Sequence, residues 1–188
     1  MKKLMRILIV IFIVAVVMIA MHSVIYPARY YYYLWRLNNT EVGGEIMDVH
    51  EKIESIAYEV IPEMTKTYKN FNATEKERHA AALGLIKADK NIAEKLFLES
   101  LETNNDSIKA LAIFHLGLIA SNKRFNQIVN LSDSPDERIR WAVVTYLGAF
   151  ENAETLSKLE YIKNHDPSKK IRDAAMYRLQ GMGINHSQ

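Results

Sequence analysis

Four segments of the chain, KERHAAALG (76–84), KALAIFHLG (109–117), RWAVVTYLG (140–148) and RDAAMYRLQ (172–180), superimpose on their terminal Leu-Gly or Leu-Gln pair. The anchors Gly84, Gly117, Gly148 and Gln180 lie 33, 31 and 32 residues apart. Each segment opens on a base (Lys76, Lys109, Arg140, Arg172), and Leu83, Leu116, Leu147 or Leu179 precedes the anchor. Ala112, Val143 and Ala175 keep the middle small, so neighbouring helices can approach closely. Between the segments runs a second helical pattern: Ala93, Leu96, Phe97 and Leu101; then Phe125, Ile128 and Val129; then Ala153, Leu156, Leu159 and Ile162. Turn chemistry separates the pairs at 104–107, 132–137 and 164–169, where Ser134 and Asp166 stand as N-caps ahead of Pro135 and Pro167. Two helices per period of about 32 residues describe an α-solenoid. Leu116 and Leu147 are then expected to be buried between adjacent repeats.

The N-terminus answers to a different solvent. Residues 7–21 read ILIVIFIVAVVMIAM, and the apolar character resumes after His22 and Ser23 to reach Tyr26 before Pro27. Twenty residues at about 1.5 Å each give roughly 30 Å, the thickness of a bilayer's hydrocarbon core. A cleaved signal peptide needs small residues at the −3 and −1 positions. The pairs Ala20/His22, Ser23/Ile25 and Tyr26/Ala28 each put a large residue in one slot, so an uncleaved anchor over 7–26 is the favoured reading. Tyr30, Tyr31, Tyr32, Tyr33 and Trp35 follow as an aromatic belt suited to the headgroup zone. Lys2, Lys3 and Arg6 outweigh Arg29 and Arg36, which sets the N-terminus in the cytoplasm and residues 37–188 outside it, in the periplasm if the source is Gram-negative.

Charge is partitioned along the chain. Residues 1–36 hold five bases and no acid, whereas residues 37–188 hold 19 bases and 22 acids. That balance lacks the concentrated basic face of a nucleic-acid binder, so no nucleic acid is expected. There is no cysteine, which removes disulfides and thiolate chemistry. Asn38-Asn39-Thr40 and Gly43-Gly44 mark a break in helix. Ile46, Val49, Ile53, Ile56 and Val60 then form one apolar stripe, read as a capping helix in preference to a short coiled-coil seam. Pro62 stops that helix or begins the next. The expected organisation is an anchor over 1–36, a connector with capping helix over 37–72, and a repeat solenoid over 73–188.

DPSKKIRDAAMYRLQ (166–180), DSPDERIRWAVVTYLG (133–148) and NDSIKALAIFHLG (105–117) resemble the short HEAT-like repeats of the phycobilisome-lyase type. A tetratricopeptide array is the rival, but its Trp-x-x-Leu-Gly start and constant period of 34 are missing. The resemblance covers about 73–180 and is weakest at 74–84. With the anchor read from residues 7–26, it implies an all-α chain: one N-terminal transmembrane helix, then a short right-handed α-solenoid of HEAT-like helix pairs. It also implies a ladder in which Asp106, Asp133 and Asp166 work with Lys109, Arg140 and Arg172.

No chemistry stands out. His22, His50, His79, His115, His165 and His186 are at least 21 residues apart, and no HExxH, P-loop, G-x-S-x-G or G-x-G-x-x-G occurs. His115 reads as a core residue. Asn-x-Ser/Thr triplets at Asn38, Asn72, Asn105, Asn130 and Asn185 read as turn chemistry. No catalytic residue, metal or cofactor is expected. The expected function is a membrane-anchored protein–protein interaction module: adaptor, assembly factor or accessory scaffold of a membrane protein complex. A small integral accessory subunit is the alternative, and a lyase-like enzyme of the resembled family a remote one. Taking the stripe opposite the core on each second helix gives a candidate protein-binding surface. It comprises Asn91, Lys95, Leu98 and Glu102; Lys123, Gln127, Asn130 and Ser134; and Glu154, Lys158, Tyr161 and His165. Leu98 has a second explanation, packing on the helix over 45–61.

Overall fold

A computed structural model describes residues 2–183, with side chains from Met5 onward except Arg6; His186 and the triplet at Asn185 lie outside the described residues, as do the side chains of Lys2, Lys3 and Arg6. The described residues form helices joined by turns, without a strand. They form two compact units, Met1–Asp89 and Lys90–Gln188.

Unit 1 begins with α1, Lys2–Asn38, a single helix about 55 Å long. Pro27 sits inside it and does not end it. From Ile7 to Ile25 every side chain is exposed. Over Ile7–Asn38 the helix is long and apolar enough to cross a membrane, and its most apolar window is buried nowhere. Beyond Pro27 the periodicity takes over. Tyr30, Tyr33, Leu34 and Leu37 fall at spacings 3, 1 and 3 on one face and are buried. Tyr31, Tyr32 and Trp35 point away and remain exposed. The expected five-ring belt is thus divided: Tyr30 and Tyr33 are core residues, because the helix presents only one side of a run of four tyrosines to solvent.

The break after α1 falls at 39–42, and the glycine pair opens the next helix rather than ending one. That helix is α2, Gly43–Ser55. The expected stripe is half-buried at Ile46 and buried at Val49, Ile53, Ile56 and Val60, but it spans two elements. A 3-10 turn at Ala57–Glu59 separates α2 from α3, Ile61–Lys69, where Pro62 occupies the first turn that tolerates it. α4, Glu75–Ala88, starts in a full capping box: Thr74 and Glu77 exchange side-chain and backbone hydrogen bonds. Asn38 at the end of α1 joins that box, donating to Glu77 at 2.9 Å and accepting from Thr74 at 3.1 Å. Gly84 of α4 faces Met64 and Ile53, so the first Leu-Gly anchor packs inside this unit.

Unit 2 contains α5 (Lys90–Ser100), α6 (Asp106–Leu118), α7 (Phe125–Asn130), α8 (Glu137–Leu147), α9 (Ala153–His165) and α10 (Lys169–Gly181). The first helices α6, α8 and α10 pack side by side, and α5 and α9 lie on them as second helices. Ala112, Val143 and Ala175 are fully buried at these crossings, as are Leu116 and Leu147. Gly117 has a reason of its own: a Cβ there would meet the Tyr146 Cα at 2.9 Å. His115 is buried against Phe97, with ring centroids 5.1 Å apart.

Helix starts differ from expectation at two turns. The N-cap of α8 is Asp136, which accepts from Arg138 N, and that of α10 is Ser168. Ser134 and Asp166 instead accept from the backbone N–H two residues on, at 3.2 and 2.8 Å. The prolines form the corner of these turns, and the helices begin after it. In α9 the core position falls on Thr155, while Ala153 in the first turn is exposed.

Two outcomes test this packing. Leu116→Ala and Leu147→Ala should each cost about 2–5 kcal/mol in denaturant unfolding. Gly117→Ala should cost about 1–3 kcal/mol because the clash is with backbone, and Gly84→Ala less, since the end of the Met64 side chain can move.

Unit 1 should also soften in acid. His50 of α2 and His79 of α4 have ring centroids 5.7 Å apart, and desolvation holds both below the ordinary histidine value. His50 adds a like charge against His79 when protonated, and Glu54 offsets part of the shift at His50. The folded values lie below the unfolded ones, so the unfolded chain binds more protons in acid. Stability is complete above about pH 6.5 and falls as pH drops from there through the lowered folded values. His79→Gln should flatten this dependence in melting curves taken between about pH 5 and 8.

Candidate functional site

Three of the turns that lead into a first helix are closed by a guanidinium. Arg140 Nη1 donates to the carbonyls of Ser134 and Pro135 at 2.8 and 3.2 Å. Arg172 Nη1 does the same to Asp166 and Pro167 at 2.7 and 3.1 Å. In unit 1 the role belongs to Arg78, whose Nη2 reaches the carbonyls of Asn70 and Phe71, both at 3.0 Å. Alignment on the Leu-Gly anchors points to Lys76 instead, but Lys76 donates to the Thr40 carbonyl at 3.3 Å. A guanidinium satisfies two carbonyls at once from one fork, which an ammonium on a shorter reach does less well.

The expected Asp–base ladder is present at one rung. Arg140 Nε donates to Asp166 at 3.0 Å; the Asp166 side chain is buried and that of Arg140 is 11% exposed. Asp133 points elsewhere, to Lys158 at 3.8 Å, and its side chain is exposed. Asp106 sits in the first turn of α6, and no such pair joins it to Lys109 among the described residues. The difference follows from the turns: only 165–168 brings a carboxylate under the preceding repeat's arginine.

The outward stripe of the second helices lies on the surface of unit 2. Asn91, Lys95 and Glu102 are exposed, as are Lys123, Gln127, Asn130, Glu154, Tyr161 and His165, whereas Leu98, Ser134 and Lys158 are half-buried. The middle repeat departs from expectation. α7 has six residues and passes into a 3-10 turn at Leu131–Asp133, so Lys123 and Ser134 stand off the helix. Arg124 ahead of α7 adopts a left-handed conformation with φ of 59°. Asn122 through Arg124 thus form a tight corner where the stripe spacing predicts helix.

Side chains nonetheless tie the three stripes together. Glu102 accepts from Arg124, and from Gln127 at 3.4 Å. Asp133 and Lys158 link the middle repeat to α9. Two grooves result. The first, of about 350 Å³, is lined by Asn91, Lys95, Leu98 and Lys123 with Glu94 and Arg124. There the Lys123 ammonium and the Ser121 hydroxyl hold the Glu94 carboxyl below the usual carboxylate range. The second, of about 480 Å³, has the Arg140–Asp166 pair in its wall beside Ser134, Tyr161 and His165. Tyr161 and His165 stack at 4.5 Å, the His165 Nδ1 donates to the Tyr161 carbonyl at 2.9 Å, and the Lys158 ammonium lies 5.2 Å from the Tyr161 ring centre. The result is a fixed aromatic edge with a cation beside it, a combination that suits a protein surface better than a small anion.

A family model of HEAT repeats matches residues 94–180. This segment is similar to HEAT repeats. The match begins on α5 and ends on α10, within unit 2, and so takes in most of the three stripes. HEAT repeats generally mediate protein–protein interaction, through the broad faces that stacked helix pairs present. No curated protein matches the chain. Among the described residues no group of three or more His, Asp or Glu side chains is placed to hold a metal ion.

Sequence reasoning missed Arg78, Glu94 and Ser121. Arg78 carries a readable signal, since it is the arginine nearest the expected base. Glu94 and Ser121 are 27 residues apart, and nothing in their spacing announces the 2.5 Å contact between them.

The two carboxylates give a direct comparison. Asp166→Ala should cost about 3 kcal/mol, because it leaves a largely buried guanidinium without its counter-ion. Asp133→Ala should cost about 0–1 kcal/mol, because its pair is at the surface. Chemical denaturation of the two variants side by side checks the difference.

Proposed function

We propose that the protein is a membrane-anchored interaction module without catalytic activity of its own, serving as an adaptor, assembly factor or accessory scaffold of a membrane protein complex. In this reading α1 crosses the membrane once through residues 7–26, with the N-terminus in the cytoplasm and residues 37–188 outside it. The HEAT-like unit then offers its second-helix stripe to a protein partner. The observation that carries the proposal is the match of HEAT repeats to the unit bearing the Lys158–Tyr161–His165 cluster. The anchor is supported by the uninterrupted exposure of apolar side chains on α1 up to Ile25. A burial of α1 in a soluble core does not account for that exposure.

Kinship with the phycobilisome-lyase type of short repeat is part of the same proposal. It is supported by the period near 32 and by the Asp166-Pro167 turn that Arg172 closes. That type includes enzymes; the ion pairs Lys123–Glu94 and Arg140–Asp166 in the groove walls of unit 2 support a structural reading of those grooves.

The test has two parts. The full-length protein should stay with membranes through alkaline carbonate and keep an N-terminus at or near Met1; release by carbonate, or sequence starting between 22 and 30, defeats the anchor. Affinity capture in mild detergent should yield a partner that Tyr161→Glu loses while the melting curve stays unchanged. Leu98→Glu examines the first groove in the same way. Retention of every partner by both variants moves the binding function off the second helices.

A further inference from the structure

The turn between α2 and α3 lies at the end of unit 1 from which the exposed half of α1 departs. Four residues, 39–42, join α1 to α2, so the two helices run antiparallel. Arg36 and Asp48, 3.7 Å apart, set their register. Stepping forward along α2 and back along α1 at about 1.5 Å per residue brings Ser55 level with Arg29, and the following turn level with Tyr26. The other helices agree. α4 runs alongside α2 in the same direction, with His79 at His50 and Gly84 at Ile53, and Met64 near the start of α3 meets Gly84. In the turn itself Ile56, Ala57 and Val60 are buried, which holds its backbone in place, while Tyr58 is 66% exposed.

We propose that this turn is a second membrane contact, seating Tyr58 in the headgroup zone of the bilayer that α1 crosses; the inference rests on the anchor reading above. From Tyr26, where the apolar run ends, to Tyr30, already in the core of unit 1, is four residues of unbroken helix, about 6 Å. The headgroup zone on each side of a bilayer is about 5–7 Å deep. The end of unit 1 therefore abuts the lipid, with no slack to lift it away. A tyrosine suits that zone, its ring among glycerol and acyl groups and its hydroxyl in water. Together with the exposed Tyr31 and Tyr32 it rebuilds the aromatic belt that the burial of Tyr30 and Tyr33 breaks. The charge around the turn selects the lipid. Glu54, Glu59 and Glu63 surround Tyr58 in sequence and outnumber Arg29, the base that the register places at this level, so the contact fits zwitterionic headgroups, and anionic lipid opposes it.

The chain has no cysteine, so a single introduced one is a unique labelling site. Tyr58→Cys, Ile13→Cys and Met47→Cys place a fluorophore at the turn, in the span and at the far end of α2. Met47 is exposed and level with Leu37 by the same register. Each full-length variant is set in phosphatidylcholine nanodiscs containing lipid spin-labelled at the headgroup or in the acyl chain. The acyl-chain label should quench position 13, and the headgroup label should quench position 58 strongly and position 47 little. Part of the quenching at 58 should be lost when phosphatidylglycerol replaces half of the carrier lipid. Glu59→Cys, exposed beside Tyr58, repeats the reading should the tyrosine variant fold poorly. Quenching at 58 and 59 no greater than at 47, with position 13 quenched, overturns the second contact and leaves the anchor standing. An unquenched position 13 overturns both.

Discussion

A helix that starts directly after a turn leaves the turn's own carbonyls facing inward, and in this protein an arginine from the helix reaches back to take them. Arg78, Arg140 and Arg172 each span two successive carbonyls in this way. In those three turns the contact fixes how closely the turn is drawn against its helix. In unit 2 the same guanidinium of Arg140 turns its remaining donors to Asp166 of the next turn, so one residue closes its own loop and joins the repeat that follows. Apolar burial supplies most of the stability of such an array, but it is permissive about register. The arginine contacts are directional, and a slip of one residue would break them.

Much of this is legible in the residues. The Leu-Gly spacing locates α6, α8 and α10, and the small residues Ala112, Val143 and Ala175 mark the crossings. The apolar stripe from Ile46 to Val60 marks the buried side of the connector, although it cannot show that a 3-10 turn divides it. The failures share a cause. Pro135 and Pro167 are compatible with the first turn of a helix and with a corner just before one, and local chemistry favours both. Tyr30 to Tyr33 are four copies of one residue, so composition assigns them one role, whereas the helix gives two of them to each side.

The candidate stripe shows where pattern ends and tertiary structure begins. α5 and α9 are long enough for a spacing of 4, 3, 4 to define a face. The middle repeat is cut short by the corner at 122–124, and no sequence rule for helical faces applies to residues outside a helix. The surface is still continuous across that gap because Glu102, Arg124 and Gln127 meet, and because Lys158 reaches Asp133. Those contacts join residues 22 to 25 apart, which only folding brings together.

α1 carries its apolar run and its buried face on one continuous helix, with Pro27 between Ile25 and Tyr30. The two halves therefore share a rotational phase as well as an axis. One residue inserted between them would turn unit 1 by about 100° about that axis and displace it by about 1.5 Å; four inserted residues would nearly restore the facing while adding about 6 Å. The rod behaves as a keyed shaft. Rolling one end about the axis obliges the other to follow, so the packed part of unit 1 is coupled to the rotation of the apolar half.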